Sequence, residues 1–449
     1  MRYRASFAAH LLIMSFVQRF RAPCVFLTVL LVLARTDVPS VLESDMADGR
    51  GHFGTKSRYE DSQRGSVLEY VGPAGCVPLQ IVGVLRHGRR FPTINKMLRM
   101  QQFRRIVATT GGGNLLAQRV ASQRLNLDPG RAGELSEQGA EDVTRLVARL
   151  SRRFPELVGP DTRMVSSSKS RCVDSAAAAR RVLRRGDSTV QPLVHIDDDV
   201  LRFFDRCPRV QVEAERRKVE WKSFSRGEHV RNALRFAATN AELLEAAYQL
   251  CALELSENGT KSPWCDLFNQ EGFEAMEYLG DLKHYWLKGP SDQRSARSSC
   301  LLLQAIFSHF DSAIQGNKRE QPGIAPAVLY FGHAETLIPL LSLLGLFRSQ
   351  SDLTAANFTS QRHRLFRTSS FCPYSANLLL VLYSCGESHP QHRLQLLLNE
   401  KPIPFPPCHA ATSCPYPEVH AYHAMTLLEE TFHAVCENGD AENASKLEL

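Results

Sequence analysis

The segment LRHGRRFP, residues 85–92, places one histidine among three arginines directly after the apolar run 79–85. A buried strand usually ends in turn residues, so this cluster of cations indicates a binding site for an anion. An uncharged imidazole is a competent nucleophile near neutral pH, and His87 is therefore our candidate nucleophile. The guanidinium groups of Arg86 and Arg90 are suited to hold the anion through paired hydrogen bonds of fixed geometry.

Two further polar segments follow predicted strands. SSSKSR, residues 166–171, contributes Arg171, and GHAET, residues 332–336, contributes His333 and Glu335. Phosphoryl transfer needs a nucleophile, cationic donors for the phosphoryl oxygens and an acid for the leaving alkoxide. We therefore interpret Arg171 as a third phosphate ligand and Glu335, beside His333, as the general acid. Burial is expected to raise the pKa of Glu335 and keep it protonated at mildly acidic pH.

Each segment also has a purely structural explanation. A histidine at the end of a strand is more often structural than catalytic, SSSKSR suits a solvated helix start, and histidine and glutamate often cap helices. The three segments nevertheless lie at predicted strand ends and have complementary chemistry. Together they favour a phosphoryl-transfer site.

Predicted strands and helices alternate around these segments. The strands are predicted at 79–85, 162–167, 327–331 and 376–385. The helices between them are predicted at 134–154, with Ser136 as N-cap, at 168–185 and at 336–347. This alternation is typical of an α/β fold with a mostly parallel central sheet flanked by helices. Ligands bind at the carboxyl edge of such a sheet, where all three polar segments are expected.

The chain between the second and third of these strands has a different pattern. Helical periodicity recurs at 232–252, 274–287 and 298–314 without a convincing strand. We therefore predict an α-helical cap domain inserted into an α/β core. The predicted boundaries are 53–195 and 320–436 for the core, 196–319 for the cap and 437–449 for a C-terminal tail.

Charge is unevenly distributed along the 449 residues. The formal net charge is +7, and no acidic residue occurs between Glu69 and Asp128, whereas nine Lys or Arg residues do. Such a surface attracts anions. Because no basic motif is interleaved with aromatic residues, nucleic acid is not expected, and a polyanionic small molecule is favoured as substrate. The absence of a C-x-x-C pair disfavours zinc ribbons and thioredoxin-type redox motifs.

Several features indicate the secretory pathway. Residues 1–35 are predicted to be a signal peptide or an uncleaved signal anchor, because the apolar run 24–34 follows scattered arginines, and membrane attachment is expected only if this leader is retained. Eleven cysteines lie beyond the leader, which in an oxidising lumen indicates disulfides with at least one free thiol. Glycosylation sequons occur at Asn258, Asn357 and Asn443.

The last four residues, KLEL (446–449), are similar to the KDEL retrieval signal, with Leu447 in the position that is usually acidic. They predict recognition by an endoplasmic-reticulum retrieval receptor. The protein is therefore expected in the endoplasmic-reticulum lumen, with secretion or display at the cell surface as alternatives.

The three polar segments carry a resemblance to a known family. LRHGRRFP fits the R-H-G-x-R-x-P signature of the histidine acid phosphatases, and SSSKSRCVDSAAA resembles the segment whose arginine completes their phosphate pocket. LSEQG, residues 135–139, is similar to the L-[ST]-x-x-G that opens a helix in these enzymes. The HAE sequence at 333–335 is similar to the multiple inositol polyphosphate phosphatase subfamily. Further stretches that resemble this subfamily are FGTKSRYED, LRFFDRC, KSPWCDLF and EYLGDLKHYW.

This resemblance implies a histidine phosphatase fold with an α-helical cap. It also implies that inositol hexakisphosphate and lower inositol polyphosphates are hydrolysed through a phosphohistidine at His87, without a metal or cofactor. Removal of the 3-phosphate of 2,3-bisphosphoglycerate is an inherited alternative. Two segments depart from the family pattern, 115–134 and 289–296, and both could line the substrate cleft. A general histidine acid phosphatase that acts on small monoesters and a catalytically silent polyanion-binding relative remain alternatives.

Overall fold

The computed structural model of the protein describes residues 50–63, 72–110, 114–123, 125, 127–184, 194–234, 241–259, 262–291, 293–316, 324–386, 391–409, 411–428 and 431–437. The predicted leader, the sequon at Asn443 and the C-terminal KLEL lie outside these ranges, as does the side chain of Asn258. Among the described helices, none combines the length and the apolar character needed to cross a bilayer.

The described residues form an eight-stranded mixed sheet. Its strands are β1 (Val77–Arg86), β2 (Arg163–Ser166), β3 (His195–Ile196), β4 (Ala327–Gly332), β5 (Asn377–Ser384), β6 (His392–Leu398), β7 (Lys401–Ile403) and β8 (Ser413–Pro415). They lie in the order β3-β2-β4-β1-β5-β6-β7, with β8 paired to β6. The pairings among β1, β2, β3 and β4 are parallel, and those that involve β5 to β8 are antiparallel. The α/β fold is thereby confirmed, with a parallel half that carries the three polar segments.

The helices are α1 (Tyr59–Gln63), α2 (Ile94–Thr110), α3 (Leu115–Ser122), α4 (Glu137–Arg153), α5 (Ser170–Leu183), α6 (Asp198–Leu201), α7 (Pro208–Arg217), α8 (Val219–Ser225), α9 (Glu228–Arg231), α10 (Ala241–Asn258), α11 (Gln270–Lys288), α12 (Gln293–Arg297), α13 (Cys300–Gln315), α14 (Ala334–Leu343), α15 (Thr368–Phe371), α16 (Tyr416–Tyr422) and α17 (Thr431–Cys436). The predicted N-cap of α4 is confirmed, because the Ser136 hydroxyl accepts a hydrogen bond from the Gly139 amide at 3.1 Å. The helix predicted at 232–252 lies later in the chain, as α10, and Leu234 instead forms a β-bridge with Phe268.

The central strand β1 is buried on both faces. Val82 and Val84 belong to a large apolar cluster, and Ile81 and Leu85 to a second one. A strand covered on both faces reads as a continuous apolar run, which is why 79–85 could be recognised without an alternating pattern. Between β3 and β4 the regular elements of the described chain are helices, and of these helices α13 packs against β1.

Eight cysteines of the described chain are paired in disulfides, as expected for an oxidising compartment. The pairs are Cys76–Cys385, Cys207–Cys436, Cys251–Cys265 and Cys408–Cys414. Three buried cysteines of the described chain, Cys172, Cys300 and Cys372, are free thiols.

Candidate active site

A cavity of about 570 Å³ lies at the carboxyl ends of β1, β2 and β4. All six residues assigned to catalysis or phosphate binding line it: Arg86, His87, Arg90, Arg171, His333 and Glu335. Nine Lys or Arg side chains line the cavity, against four carboxylates. Because charges of one sign in a concave, partly dry site reinforce one another, this cavity is strongly attractive to anions.

The first turn of α4 fixes the chain after β1. Ser136 donates its backbone N–H to the Arg89 carbonyl at 2.9 Å. Backbone contact between the two segments is so close that a Cβ on Gly139 would lie 2.1 Å from the Arg89 carbonyl oxygen, and one on Gly88 would lie 2.2 Å from the Gly139 oxygen. A side chain at either glycine would collide with the backbone of the other segment. This close approach explains why both RHGRR and LSEQG contain glycine at these positions.

His87 has the geometry of a neutral nucleophile. The side chain is 3 % exposed, and its Nδ1 lies 2.8 Å from the Gly88 carbonyl oxygen. A carbonyl can only accept, so Nδ1 carries the hydrogen and Nε2 keeps its lone pair. Burial, followed by the charges of arginines such as Arg86 and Arg171, lowers the pKa of His87 well below its usual value. The imidazole therefore stays neutral in mildly acidic solution.

The three predicted phosphate-binding arginines carry unused donors. Arg86 is anchored, because its Nη1 donates to the carbonyls of Thr55 at 2.6 Å and Cys372 at 2.9 Å. The buried Nε atoms of Arg86, Arg90 and Arg171 have no hydrogen-bond partner within the described chain. Burial and the charge of Arg90 also lower the pKa of Arg171. Because these three side chains also line the cavity, their donors are available to the acceptor oxygens of a bound phosphate.

Arg89, which lies between Gly88 and Arg90, has a different role. Its guanidinium forms a buried two-point ion pair with Asp142 of α4, at 2.6 and 2.9 Å. It does not line the cavity. Arg89 therefore holds α4 against the loop, while its two arginine neighbours reach the cavity.

His333 is the N-cap residue of α14 and connects two of the polar segments. Its Nε2 lies 2.9 Å from the Ser167 hydroxyl, and its Nδ1 lies 3.3 Å from Nη2 of Arg171. Because the guanidinium can only donate, Nδ1 accepts and Nε2–H donates to Ser167. Burial, then Arg171, lowers the pKa of His333 to about 3. His333 is therefore a neutral residue that orients Arg171, and its ring centroid lies 5.6 Å from that of His87.

The expectation for the pKa of Glu335 is wrong in this structure. Burial does favour the neutral carboxyl, but the charge and hydrogen bond of Lys288, whose Nζ lies 2.6 Å from Oε1, outweigh it. The pKa of Glu335 is held well below its usual value, so the side chain is ionised. Sequence reasoning missed this because Lys288 is 47 positions earlier in the chain and reaches Glu335 only through folding.

Six further cations of the cavity were not assigned to it from the sequence. They are Lys56, Lys96, Lys169, Arg202, Lys283 and Lys288. Burial, then the charges of neighbouring arginines and lysines, lowers the pKa of Lys56 well below its usual value. Burial also lowers the pKa of Lys96 to about 8, although Glu245 opposes this effect. Three of these six cations could have been assigned from the sequence, because Lys56, Arg202 and Lys283 lie in stretches that resemble the phosphatase subfamily. These stretches are FGTKSRYED, LRFFDRC and EYLGDLKHYW.

The two segments that depart from the family pattern lie elsewhere. No described residue of 115–134 or 289–296 lines the cavity, so the expectation that both could line the cleft is not met. Asn114 caps α3 by accepting from the amides of Leu116 and Ala117, so the first part of the altered segment, 115–122, forms a helix outside the cavity.

Within the described ranges, one cluster has the atom spacing of a metal site. It consists of Cys408, Cys414 and Glu418 and does not line the cavity. The two sulfurs are joined in a disulfide, and a disulfide sulfur is not the thiolate that a metal requires.

Comparison with known proteins agrees with this geometry. Residues 79–399 match the sequence profile of the histidine phosphatase superfamily, branch 2. The chain belongs to this superfamily. Multiple inositol polyphosphate phosphatase 1 of Homo sapiens is 36% identical over 400 residues, which cover 79% of this chain and 82% of the human protein. The protein of the same name from Gallus gallus is 35% identical over 420 residues, which cover 86% and 92%.

Two solved structures share the fold of this chain. The phytase from D. castellii superposes with a TM-score of 0.74 at 18% identity, over 91% of this chain and 92% of that one. The Bifidobacterium longum multiple inositol polyphosphate phosphatase in complex with inositol hexasulfate gives a TM-score of 0.64 at 15% identity, over 85% and 98%. At these identities the similarity establishes the fold.

Proposed function

We propose that this histidine phosphatase hydrolyses inositol hexakisphosphate and lower inositol polyphosphates through a phosphohistidine at His87. The observation that carries the proposal is one cavity that contains a neutral, oriented imidazole, three arginines with unused donors and six further cations. The names of the human and chicken relatives support the substrate class.

The first half of the reaction forms the covalent intermediate. Nε2 of His87 attacks phosphorus, and the bond from phosphorus to the inositol oxygen breaks. Arg86, Arg90 and Arg171 hold the phosphoryl oxygens and stabilise the charge that they share in the transition state. Glu335, which must take up a proton from solvent once the substrate is bound, gives that proton to the leaving oxygen, which departs as an alcohol.

The second half restores the enzyme. The Glu335 carboxylate takes a proton from a water molecule, whose oxygen attacks the phosphorus of phosphohistidine. The bond from Nε2 to phosphorus breaks, and inorganic phosphate leaves. His87 returns to its neutral form, which its lowered pKa favours in mildly acidic solution.

The number of cations argues for a substrate with several phosphates. A single phosphate needs the three arginines, yet six additional cations line the same cavity. Like charges that line one cavity repel one another, and bound anions relieve that repulsion. A small monoester would bring no second phosphate for these additional cations to bind, as expected of the substrate of a general acid phosphatase. Activity on 2,3-bisphosphoglycerate stays a prediction of the sequence.

We further propose that the enzyme works in the lumen of the secretory pathway. Four disulfides in the described chain support an oxidising compartment. Glycosylation of Asn357 would have to displace a hydrogen bond, because its side-chain nitrogen donates to the Asp352 carbonyl at 2.8 Å. Retention in the endoplasmic reticulum through KLEL, as opposed to secretion, stays a prediction of the sequence.

The test is phosphate release from inositol hexakisphosphate in the presence of EDTA, with the pH stepped from about 4 to about 8. We expect release to survive chelation, because every catalytic donor in this proposal is a protein side chain. We also expect activity to persist on the acidic side: the lowered pKa of His87 keeps it neutral until the pH falls well below the usual range of histidine.

Small monoesters serve as the control substrates in the same assay. Hydrolysis of p-nitrophenyl phosphate without release from inositol hexakisphosphate would identify a general acid phosphatase. No hydrolysis of either substrate would identify a polyanion-binding relative without activity.

A further inference from the structure

The ion pair between Glu335 and Lys288 creates a chemical problem for the proposed reaction. Lys288 is the last residue of α11, and its Nζ lies 2.6 Å from Oε1 of Glu335 in the first turn of α14. The two side chains remain 23 % and 39 % exposed, so both reach the cavity. A carboxylate held by a lysine is ionised and has no proton to give to a leaving group.

Other titratable groups surround Glu335, and the cationic ones among them, Arg171, Lys56 and Lys96, increase this bias. Those with a resolved electrostatic interaction with it are His284 of α11, His333, Arg171 of α5, Lys56 before α1 and Lys96 of α2. The buried thiols of Cys172 and Cys372 are also within electrostatic reach. Lys288 forms the only direct hydrogen bond to the Glu335 carboxylate among the described residues. It is therefore the group whose displacement would change Glu335 most.

Lys288 also lies where a polyanionic substrate can bind it. It lines the same cavity as the phosphate-binding arginines, one helical turn after His284, whose buried Nδ1 has no partner in the described chain. The phosphoryl group to be transferred is already matched by three arginines. A second phosphate of the same substrate is thus free to bind Lys288 and draw it from Glu335.

We propose that Lys288 is a positioning residue that couples the binding of a polyphosphorylated substrate to the protonation of Glu335, which then acts as the general acid. A non-transferred phosphate pairs with Lys288, and the released carboxyl takes up one proton from solvent. That proton passes to the leaving oxygen as the bond from phosphorus to oxygen breaks and the bond from phosphorus to Nε2 of His87 forms. The inference rests on the proposed function and adds to it a reason why substrates with several phosphates are preferred.

The consequence is a difference between substrates. An alkyl monoester has only one phosphate, so Glu335 stays paired with Lys288 and the poor leaving group receives little help. p-Nitrophenyl phosphate barely needs a proton, because its leaving group is already stable as an anion. Inositol hexakisphosphate needs the proton and supplies the second phosphate itself.

The test uses Lys288→Met and the ratio of kcat/KM for glycerol 2-phosphate to kcat/KM for p-nitrophenyl phosphate, measured across the acidic pH range. We expect the ratio to rise in the variant, by about tenfold for each unit by which the pKa of Glu335 rises. The ratio falls where Glu335 loses its proton, so this fall is expected at a higher pH in the variant than in the wild-type enzyme. No comparable gain is expected with inositol hexakisphosphate, which displaces Lys288 in the wild-type enzyme. Lys288→Arg keeps the charge and is expected to keep the wild-type ratio.

Lys283→Met is the matched comparison. Lys283 lies on the same helix and in the same cavity, but its Nζ lies 5.4 Å from the ring centroid of Trp221. The Lys283→Met variant removes the same charge as Lys288→Met and is expected to keep the wild-type pH dependence of the ratio. An unchanged ratio in Lys288→Met, an equal shift in Lys283→Met, or an equal gain on inositol hexakisphosphate would each overturn the inference. If the wild-type enzyme hydrolysed both monoesters but not inositol hexakisphosphate, the proposed function would be wrong. The monoester ratio can be measured in either case, so failure of the proposed function and failure of this inference are distinguishable.

Discussion

Replacement of His87 by alanine is expected to reduce phosphate release from every substrate by about 10⁴-fold or more, because it removes the atom that bonds to phosphorus. The fold is expected to survive. The imidazole makes one hydrogen bond to the carbonyl of the next residue, and no ion pair of His87 connects two elements of the described structure. The measurement is the initial rate of phosphate release at saturating substrate, with thermal unfolding of the same preparation.

His363→Ala is the matched control, since His363 is exposed and does not line the cavity. Its rate and its Tm are expected to equal those of the wild type. Residual turnover by His87→Ala within about tenfold of the wild-type rate would refute the nucleophile assignment.

Two adjacent arginines of the RHGRR motif are expected to give opposite results. In Arg90→Met, the loss of one donor to the transition state should lower kcat by about 10²- to 10³-fold, with little change in the free energy of unfolding. In Arg89→Met, the buried carboxylate of Asp142 loses its two-point partner and, among the described residues, keeps Arg145 at 2.6 Å. We expect that variant to lose about 3 kcal/mol of stability.

The measurement is urea unfolding of both variants alongside their steady-state kinetics. Each variant is the control for the other, because they remove the same charge from neighbouring positions. If Arg89→Met lowered kcat as strongly as Arg90→Met in a folded preparation, the separation of the motif into a structural and a phosphate-binding arginine would be wrong.

The six predicted site residues lie in one cavity because of a property of parallel sheets. β1, β2 and β4 are parallel neighbours, so their carboxyl ends meet at one edge and bring His87, Arg171 and His333 into one cavity. Each of those residues lies at or within a few positions of a strand end. An apolar run followed by polar residues was thus enough to locate them.

The remaining features depend on contacts that no local pattern contains. The apolar run at 376–385 predicts a strand but not its direction. Its antiparallel pairing with β1 depends on the route that the chain takes between the two strands. The low pKa of Glu335 depends on Lys288, which only the packing of α11 brings near it. Gly139 could be read as part of a motif, but the backbone contact with Arg89 that requires it is visible only in the folded chain.

The central claim is that phosphate passes through His87. Its most direct test is a rapid quench into alkali, where phosphohistidine is stable, after mixing the enzyme with radiolabelled inositol hexakisphosphate. We expect up to about one labelled phosphoryl group per chain, located by peptide mass spectrometry on His87 and absent from His87→Ala. Rapid phosphate release by the wild-type enzyme with no label on His87, or with label on another residue, would contradict the claim.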